Sequence, residues 1–296
     1  MAITHEFEYL RPATLGKALK ALAKYGRKAK VLAGGTDLVG LLNDEILQPD
    51  AVIDIKAIEE LRALEFKNGK LQIGALTTFS ELLESDEVRR KFPVIAEMAG
   101  WVASLGIRNR ATMAGNICSA VPCCDSGPIL LLYDALIHAK SRDEKRKIPI
   151  AQWFAGPRKT VLKNKEIVTG LSMPEWDIPH AACFVKLRRY EGEDLAQASV
   201  AVLVDKANNY RIAYGSVGPK PFRGAAVEAL LTGKPLNEAL LKKAVELARL
   251  EIQPITDIRS TKEYRSHMTG VMLERGLRAA VSRLAGKGPA YGASLI

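Results

Sequence analysis

The pattern of apolar and polar positions divides the first 57 residues into short helices and strands. Four apolar residues lie on one face at helical spacing: Leu15, Ala18, Leu19 and Leu22. They follow Pro12 and end near Gly26, which predicts a helix with a proline start and a glycine stop. Apolar runs at 31–33 and 51–55 predict two strands, with a helical pattern between them. Residues 1–57 are therefore predicted to form a small α/β unit.

Residues 58–177 are predicted to form a second, mixed unit. Asn68-Gly69 lies between two alternating apolar runs, which is typical of a β-hairpin. Helical patterns follow at 78–83 and 94–102, and further strand-like runs are found at 136–139 and 167–171. Trp101 lies on an apolar helical face and is predicted to be a core residue. The pattern favours an α+β unit with an antiparallel sheet.

The remaining residues change from strands to helices. Apolar runs at 182–187, 198–204 and 210–217 predict three strands, and helical spacing predicts helices at 235–250 and 263–284. Residues 178–285 are therefore predicted to form a C-terminal domain, and 286–296 a loose tail.

The first glycine-rich stretch joins a strand to a helix. The sequence Val31-Leu32-Ala33-Gly34-Gly35-Thr36-Asp37-Leu38 places two glycines between an apolar run and a helical pattern. Glycine adopts backbone angles closed to other residues, and Thr36 or Asp37 is suited to cap the helix. The free N–H groups of such a turn can bind a phosphate. A plain strand-to-helix turn explains this stretch equally well, and there is no G-x-G-x-x-G motif of a doubly wound dinucleotide fold.

A second small-residue stretch favours the ligand interpretation. Residues 108–117 contain Thr112, Ala114-Gly115 and Asn116, and Asp125 or Ser126 is placed to cap a helix shortly afterwards. The two stretches are about 80 residues apart. Two such loops suit a long ligand with a central pyrophosphate better than they suit two unrelated turns.

Together these stretches resemble a known family. Ala33-Gly34-Gly35-Thr36-Asp37-Leu38, and Thr112 to Asn116 with Pro122 and Asp125 behind them, resemble the two FAD-binding loops of the flavoprotein subunit of molybdenum hydroxylases. This is the medium subunit of the carbon monoxide dehydrogenase and xanthine dehydrogenase family. The resemblance extends to the segment 184–189, with Asp194 behind it. It implies a two-subdomain FAD-binding fold of the vanillyl-alcohol-oxidase/PCMH type. A C-terminal domain with a three-stranded antiparallel sheet and a helical bundle is expected to follow.

The resemblance also implies a function. The chain is expected to be an oxidoreductase subunit that binds FAD non-covalently and passes electrons from the [2Fe-2S] clusters of a small subunit to an external acceptor. A large molybdopterin subunit would oxidise the substrate, and the assembly is expected to be a dimer of heterotrimers. The acceptor stays open between NAD, oxygen, a quinone and ferredoxin. The alternative is a stand-alone FAD-dependent oxidoreductase of the same fold, or a module that binds only the phosphates.

The resemblance assigns cofactor-binding roles to residues in both glycine stretches and beyond them. The residues are Leu32, Ala33, Gly34, Gly35, Thr36, Asp37, Leu38, Thr112, Ala114, Gly115, Asn116, Asp125, Ile167, Val168 and Lys186. A cation at Lys186 would stabilise a reduced anionic flavin. The alternative interpretation is that Lys186 is a surface lysine at a strand end. Phe184 lies on the same strand face as Lys186 and is a further candidate to contact the ring system.

One residue departs from the family pattern. The second loop often has Gly-Gly-Asn, and here Ala114 replaces the first glycine. Alanine disfavours positive φ, and we interpret it as a tolerated change.

Composition narrows the class of protein further. The chain has 296 residues, 48% of them hydrophobic and 26% charged, which is ordinary for a globular protein. The net charge of +10 favours anionic partners, but the basic residues are dispersed among few aromatics, so no nucleic-acid groove is indicated. No signal or membrane-spanning segment is found, so the chain is expected in the cytoplasm with reduced cysteines.

Cysteine and histidine show no metal-binding spacing. Cys118, Cys123 and Cys124 are close together, but adjacent cysteines chelate poorly and match no zinc or iron–sulfur motif. The four histidines are scattered. The sequence therefore predicts no metal site, no catalytic residue and no membrane or nucleic-acid partner for this chain.

Overall fold

The computed structural model of the chain describes residues 3–296. The first unit contains a parallel sheet of order β1-β3-β2. Its elements are β1 (Glu8–Leu10), α1 (Leu15–Tyr25), β2 (Ala29–Leu32), α2 (Leu38–Asn43) and β3 (Ala51–Asp54). The predicted first helix is confirmed: the Thr14 hydroxyl accepts a hydrogen bond from the Lys17 N–H, and Gly26 ends the helix at φ 57°. Strand β1 was not predicted, because three residues are too few to show alternation.

The second unit is organised around a five-stranded antiparallel sheet of order β4-β5-β10-β6-β7. The five strands are β4 (Leu64–Lys67), β5 (Lys70–Gly74), β6 (Leu136–Lys140), β7 (Lys145–Pro149) and β10 (Ile167–Pro174). A separate short hairpin consists of β8 (Phe154–Gly156) and β9 (Lys159–Thr160). The predicted hairpin is confirmed, with Asn68 and Gly69 both at positive φ in the turn between β4 and β5. Such angles match the twist of a two-residue hairpin.

Seven helices of the second unit lie between or beside these strands. They are α3 (Phe79–Glu84), α4 (Asp86–Lys91), α5 (Pro93–Gly100), α6 (Leu105–Arg108), α7 (Met113–Ser119), α8 (Ser126–Leu132) and α9 (Ile150–Trp153). The second glycine stretch, predicted as a turn, is helical in α7. Its small residues let the helix pack closely instead of forming an open loop. Trp101 is only half-buried at the edge of the core, where its ring lies 4.3 Å from the Arg188 guanidinium.

The C-terminal unit contains an antiparallel sheet of order β11-β12-β13-β14. Its elements are β11 (His180–Leu187), β12 (Ala198–Asp205), β13 (Tyr210–Gly215), β14 (Phe222–Arg223), α10 (Ala225–Leu231), α11 (Glu238–Glu251) and α12 (Lys262–Leu284). The prediction of three strands thus missed the fourth, because the two-residue β14 carries no periodic signal. Helix α10 was also not predicted.

Strand β11 connects the two hydrophobic cores of the chain. Ala182 and Phe184 belong to the core shared with the first two units. Cys183 and Val185 belong to the core beneath the C-terminal helices. Because successive side chains of a strand point to opposite faces, β11 is buried on both sides.

The predicted loose tail is instead docked on the rest of the chain. The Glu97 carboxylate is buried and accepts a hydrogen bond from Gly292 N–H at 3.0 Å, and the Arg283 guanidinium pairs with it at 2.7 Å. Arg275 donates to the Leu295 carbonyl at 2.6 Å. The tail is docked because a buried carboxylate needs hydrogen-bond partners. Among the residues described, no helix is long and apolar enough to cross a membrane.

Candidate functional site

The two glycine stretches meet in space. A Cβ added at Gly34 would lie 1.9 Å from the Arg110 carbonyl oxygen, a distance no real Cβ tolerates. Only glycine allows the first loop to approach the residues leading into α7 this closely. We call residues 33–37 and 112–116 together the glycine cradle.

The first loop presents free backbone donors. Gly35 has φ +84°, in the left-handed region that favours glycine. Within residues 3–296, the N–H groups of Gly34, Gly35 and Thr36 donate to no protein acceptor. Helix α2 has only six residues, so these loop groups provide more of the anion-binding potential than a helix dipole does.

The capping of α2 differs from the sequence prediction, whereas for α7 no cap was predicted. Asp37 occupies the N-cap position of α2 but makes no capping bond; its carboxylate instead accepts a hydrogen bond from the Ser119 hydroxyl at 2.5 Å. Thr112 does cap α7, accepting from the Gly115 N–H at 2.9 Å. The Asp37–Ser119 bond therefore joins the start of α2 to the end of α7.

The replacement of glycine by Ala114 is accommodated by helix geometry. Ala114 lies in the first turn of α7, is 2% exposed and is not among the residues with positive φ. An alanine in right-handed helix carries no conformational strain, so the position does not require glycine.

A cavity of about 390 Å³ opens between the two halves of the cradle. Ala33, Gly34, Gly35, Thr36, Asp37, Leu38, Thr112, Gly115 and Asn116 line it. The sequence prediction missed further lining residues, among them Lys30, Val31, Leu41, Leu47, Cys118, Ser119 and Arg158. Arg158 lies in the turn of the β8–β9 hairpin, and its N–H donates to the Ala120 carbonyl at 2.8 Å. No local sequence signal marks it, because only the tertiary fold brings this hairpin to α7.

A chain of contacts leads from the cradle to a buried ion pair. The Asn116 amide oxygen accepts from the Ser126 N–H at 3.1 Å, at the start of α8. The preceding Asp125 makes no cap bond; its carboxylate pairs with the Lys186 ammonium at 2.7 Å. The Lys186 side chain is 2% exposed and also donates to the Trp101 carbonyl at 3.1 Å. The surface-lysine alternative for Lys186 is therefore wrong.

The Asp125–Lys186 pair retains unused hydrogen-bonding capacity. Burial raises the pKa of Asp125, while the ion pair with Lys186 opposes this shift. Asp125 Oδ1 and the neighbouring Ser126 hydroxyl are buried and have no partner among the described residues. Buried polar atoms without partners indicate a bound group or water.

The other predicted site residues are apolar residues of strands. Ile167 and Val168 are buried in β10, and Leu32 ends β2. None of them lines the cavity. Phe184 is buried in the core, and its backbone N–H donates to the Glu97 carboxylate at 2.8 Å. The structure therefore brings the two loops together, links Asp125 and Lys186 to them through Asn116, and leaves these apolar residues in supporting positions.

Two cysteines near the site form no disulfide, and burial disfavours their thiolate forms. Cys123 and Cys124 are free, and burial raises the pKa of Cys123 to about 11. A thiol with a raised pKa is a weak nucleophile and a weak metal ligand. No cluster of three or more potential metal ligands is found among residues 3–296.

Comparison with known proteins decides the family. Residues 5–176 match the FAD binding domain in molybdopterin dehydrogenase, and residues 182–280 match the CO dehydrogenase flavoprotein C-terminal domain. The chain belongs to the flavoprotein subunits of the molybdopterin dehydrogenases. It shares 31% identity with the carbon monoxide dehydrogenase medium chain of Hydrogenophaga pseudoflava, over 96% of this chain and 100% of the relative. It shares 32% with the xanthine dehydrogenase FAD-binding subunit of Escherichia coli O157:H7, over 94% and 97%.

Solved structures give the same family relationship. A chain of carbon monoxide dehydrogenase from Hydrogenophaga pseudoflava, in a form that lacks the Mo-pyranopterin moiety of the molybdenum cofactor, superposes with a TM-score of 0.92. The match has 31% sequence identity and covers 96% of this chain and 99% of that one. The predicted α+β fold of this flavoprotein family is confirmed, with the additional strand β14 noted above.

The residues present fit the FAD of this family. The cradle provides free N–H groups and small side chains beside an open cavity, which suits a pyrophosphate. Lys30 and Arg158 add positive charge to the cavity wall. Asp125 Oδ1 can accept a hydrogen bond from a bound group, and the Ser126 hydroxyl can donate or accept one. Asn116 connects this position to the cradle through its bond with the Ser126 N–H.

Proposed function

We propose that this chain is the FAD-binding electron-transfer subunit of a molybdenum hydroxylase complex. Electrons would enter from the [2Fe-2S] clusters of a small partner subunit and leave to an external acceptor. A large partner subunit with molybdopterin would oxidise the organic or small inorganic substrate. The complex is proposed to be a dimer of heterotrimers.

The observation that carries the proposal is the continuous line of contacts from the cradle to the Asp125–Lys186 pair, within a chain that matches medium subunits along its whole length. When bound, FAD supplies the redox chemistry. The cradle N–H groups of residues 34–36 would bind its phosphates, and Thr112 would hold α7 against the ligand. Ala33, Asp37, Leu38, Gly115 and Asn116, which line the cavity, would complete the binding surface, and Leu32 and Ala114 would support it from β2 and α7.

The buried pair would act on the other end of the cofactor. Lys186 is fixed by Asp125 and by the Trp101 carbonyl, so its ammonium has a single orientation. A fixed cation in a dry site stabilises negative charge that develops nearby, because no water has to reorganise. Ile167 and Val168 would contribute apolar contact through β10.

The chain's own side chains support an electron-transfer role. Beside the buried pair, the described residues show no nucleophile with a free base: Cys123 has a raised pKa, and Asp125 is paired with a lysine. Substrate chemistry is therefore assigned to a partner, while this chain binds the cofactor, orients it and excludes water from the Lys186 end.

The first test is co-purification at low salt of the tagged chain from the organism that encodes it. We expect two partner proteins, one with [2Fe-2S] clusters and one with molybdenum, together with the visible absorption of one FAD per chain. Association is expected to weaken as salt rises, since the chain carries a net charge of +10. A lone yellow chain that turns over a small organic substrate would instead support the stand-alone oxidoreductase.

The second test addresses the cofactor alone. Gly35→Val is expected to leave a folded, colourless chain, because a β-branched residue is strained at φ +84° and its Cβ would lie 3.1 Å from Leu32 Cδ1, so the loop must shift. The wild-type chain should gain thermal stability on addition of FAD, and the variant should not. A wild-type chain with no such gain would contradict FAD binding.

A further inference from the structure

The segment that leads into α6 holds an alanine in an unfavourable backbone conformation. Ala103 has φ 38°, in the left-handed region that a residue with a Cβ rarely adopts. Such conformations persist only where the surroundings enforce them. Ala103 lies two residues after Trp101, whose carbonyl oxygen accepts the hydrogen bond from Lys186.

One side chain bonds to the backbone on both sides of Ala103. Arg108, the last residue of α6, donates from Nη1 to the Val102 carbonyl at 3.0 Å and to the Ala103 carbonyl at 2.9 Å. These charge-assisted bonds turn both carbonyls toward the guanidinium, so the chain must reverse at Ala103. The Ser104 hydroxyl, which accepts from the Ile107 N–H, caps the single turn that carries Arg108.

The Trp101 carbonyl lies directly before this reversal, at the C-terminal end of α5. The carbonyl directly precedes the two that Arg108 holds, and it points at Lys186 Nζ at 3.1 Å. Lys186 has only one other described partner, the Asp125 carboxylate at 2.7 Å. Without the Trp101 carbonyl, a single bond to Asp125 would leave the ammonium free to rotate about it.

We propose that Arg108 is a positioning residue for Lys186. Its guanidinium keeps Ala103 left-handed, the Trp101 carbonyl thereby faces Lys186, and the ammonium is held in one orientation. The inference rests on the proposed function insofar as Lys186 acts on FAD. The chain of contacts from Arg108 to Lys186 does not depend on a cofactor.

The first experiment measures the accessibility of Lys186 without FAD. Amine acetylation of the apo chain, quantified by mass spectrometry, reports how often each lysine is released from its partners. Arg108→Leu is expected to raise the labelling rate of Lys186 by about tenfold through local opening, with Lys91 as internal reference. Lys91 is paired with Glu175, away from this segment. Arg108→Lys, which retains a charged donor, is expected to stay within about threefold of wild type.

A rescue variant separates positioning from general loss of packing. Glycine adopts left-handed angles without strain, so Ala103→Gly in the Arg108→Leu background should restore most of the protection of Lys186. Ala120→Gly is the matched control, because Ala120 is also an alanine in left-handed conformation, at φ 48°, but it ends α7. Equal rescue by Ala120→Gly, or unchanged Lys186 labelling in folded Arg108→Leu, would overturn the proposal. Arg108→Gln, which can donate to one carbonyl only, should give intermediate labelling and replaces the leucine variant if that does not fold.

The second experiment tests the link to the cofactor in FAD-loaded protein. The reduction potential of the FAD should shift in Arg108→Leu and return in the Arg108→Leu/Ala103→Gly double variant. A potential that stays constant while Lys186 labelling changes would confine Arg108 to a structural role. Failure of the proposed function is recognised separately, because it leaves the wild-type chain without FAD while the labelling results are unaffected.

Discussion

The glycine cradle and the Asp125–Lys186 pair lie on one line of contacts, but different parts of the chain build them. The cradle uses backbone N–H groups and small residues beside an open cavity. The pair uses two charged side chains: Asp125 at the start of α8, 9% exposed, and Lys186 in a strand of the C-terminal sheet, 2% exposed. One end of the site thus depends on backbone shape and the other on the balance of buried charge.

This difference implies different sensitivities to substitution. The cradle tolerates changes of side chain, as Ala114 in α7 illustrates, but it fails where a Cβ has no room. The pair tolerates joint replacement of both members better than loss of one, because removing one member leaves an uncompensated buried charge. Four predictions break or sharpen this contrast, from the largest expected effect to the smallest.

Gly34→Ala is expected to have the largest effect. The added Cβ would lie 1.9 Å from the Arg110 carbonyl oxygen, so the two halves of the cradle must separate. We expect FAD affinity to fall by roughly a thousandfold, or about 4.1 kcal/mol, as measured by titration of the apo chain with FAD. Gly40→Ala in α2 is the control, since its Cβ would have nothing within 4 Å. Equal affinities of the two variants would show that close contact of the loops is not required.

Lys186→Met tests the buried pair. The free energy of unfolding is expected to fall by about 3 kcal/mol at neutral pH, because Asp125 becomes an uncompensated buried carboxylate. Lys186→Met/Asp125→Leu should recover most of that loss. In FAD-loaded protein the single variant should lower the reduction potential, since a cation is lost, and the double variant should lie closer to wild type. An unchanged potential in the single variant would separate Lys186 from the cofactor.

The free energy of unfolding of Lys186→Met is expected to depend on pH. Burial raises the pKa of Asp125, and loss of the lysine removes the interaction that opposes this rise. The folded state then binds a proton more tightly than the unfolded chain, whose carboxyl has a pKa of about 3.9. The stabilisation by this proton is complete below that value and is lost as pH rises through the folded pKa. Urea unfolding should therefore show a smaller deficit of Lys186→Met at about pH 5 than at about pH 8, where the folded carboxyl is forced to ionise.

Thr112→Ala should have the smallest effect. Loss of its bond to the Gly115 N–H is expected to lower the free energy of unfolding by about 1 kcal/mol and to weaken FAD binding through a looser α7. Thr14→Ala removes an equivalent cap from α1, where Thr14 accepts from Lys17 N–H at 3.3 Å. It should cause a similar loss of stability with unchanged FAD affinity. A thermal melt with and without FAD compares the two variants.

Local patterns predicted the elements that are long or marked by special residues. The first helix with its Gly26 end, the Asn68-Gly69 hairpin and the strand containing Lys186 were all predicted from spacing and turn chemistry. The first glycine loop was predicted from its two glycines and was confirmed as a strand-to-helix connection. These features depend on near neighbours in the chain, whose geometry the backbone fixes directly.

Other features were decided only by the tertiary structure. No local pattern indicated that Arg158 lines the cavity, that the Ser119 hydroxyl donates to the Asp37 carboxylate, or that the tail is docked on Glu97, because each contact joins segments distant in the chain. The sequence alone determined which residues can make a close turn, through the missing Cβ of Gly34 and the freedom of Gly35. Whether Lys186 is a surface cation or half of a buried pair depended on folding β11 against α8, since burial and charge partners exist only in the packed chain.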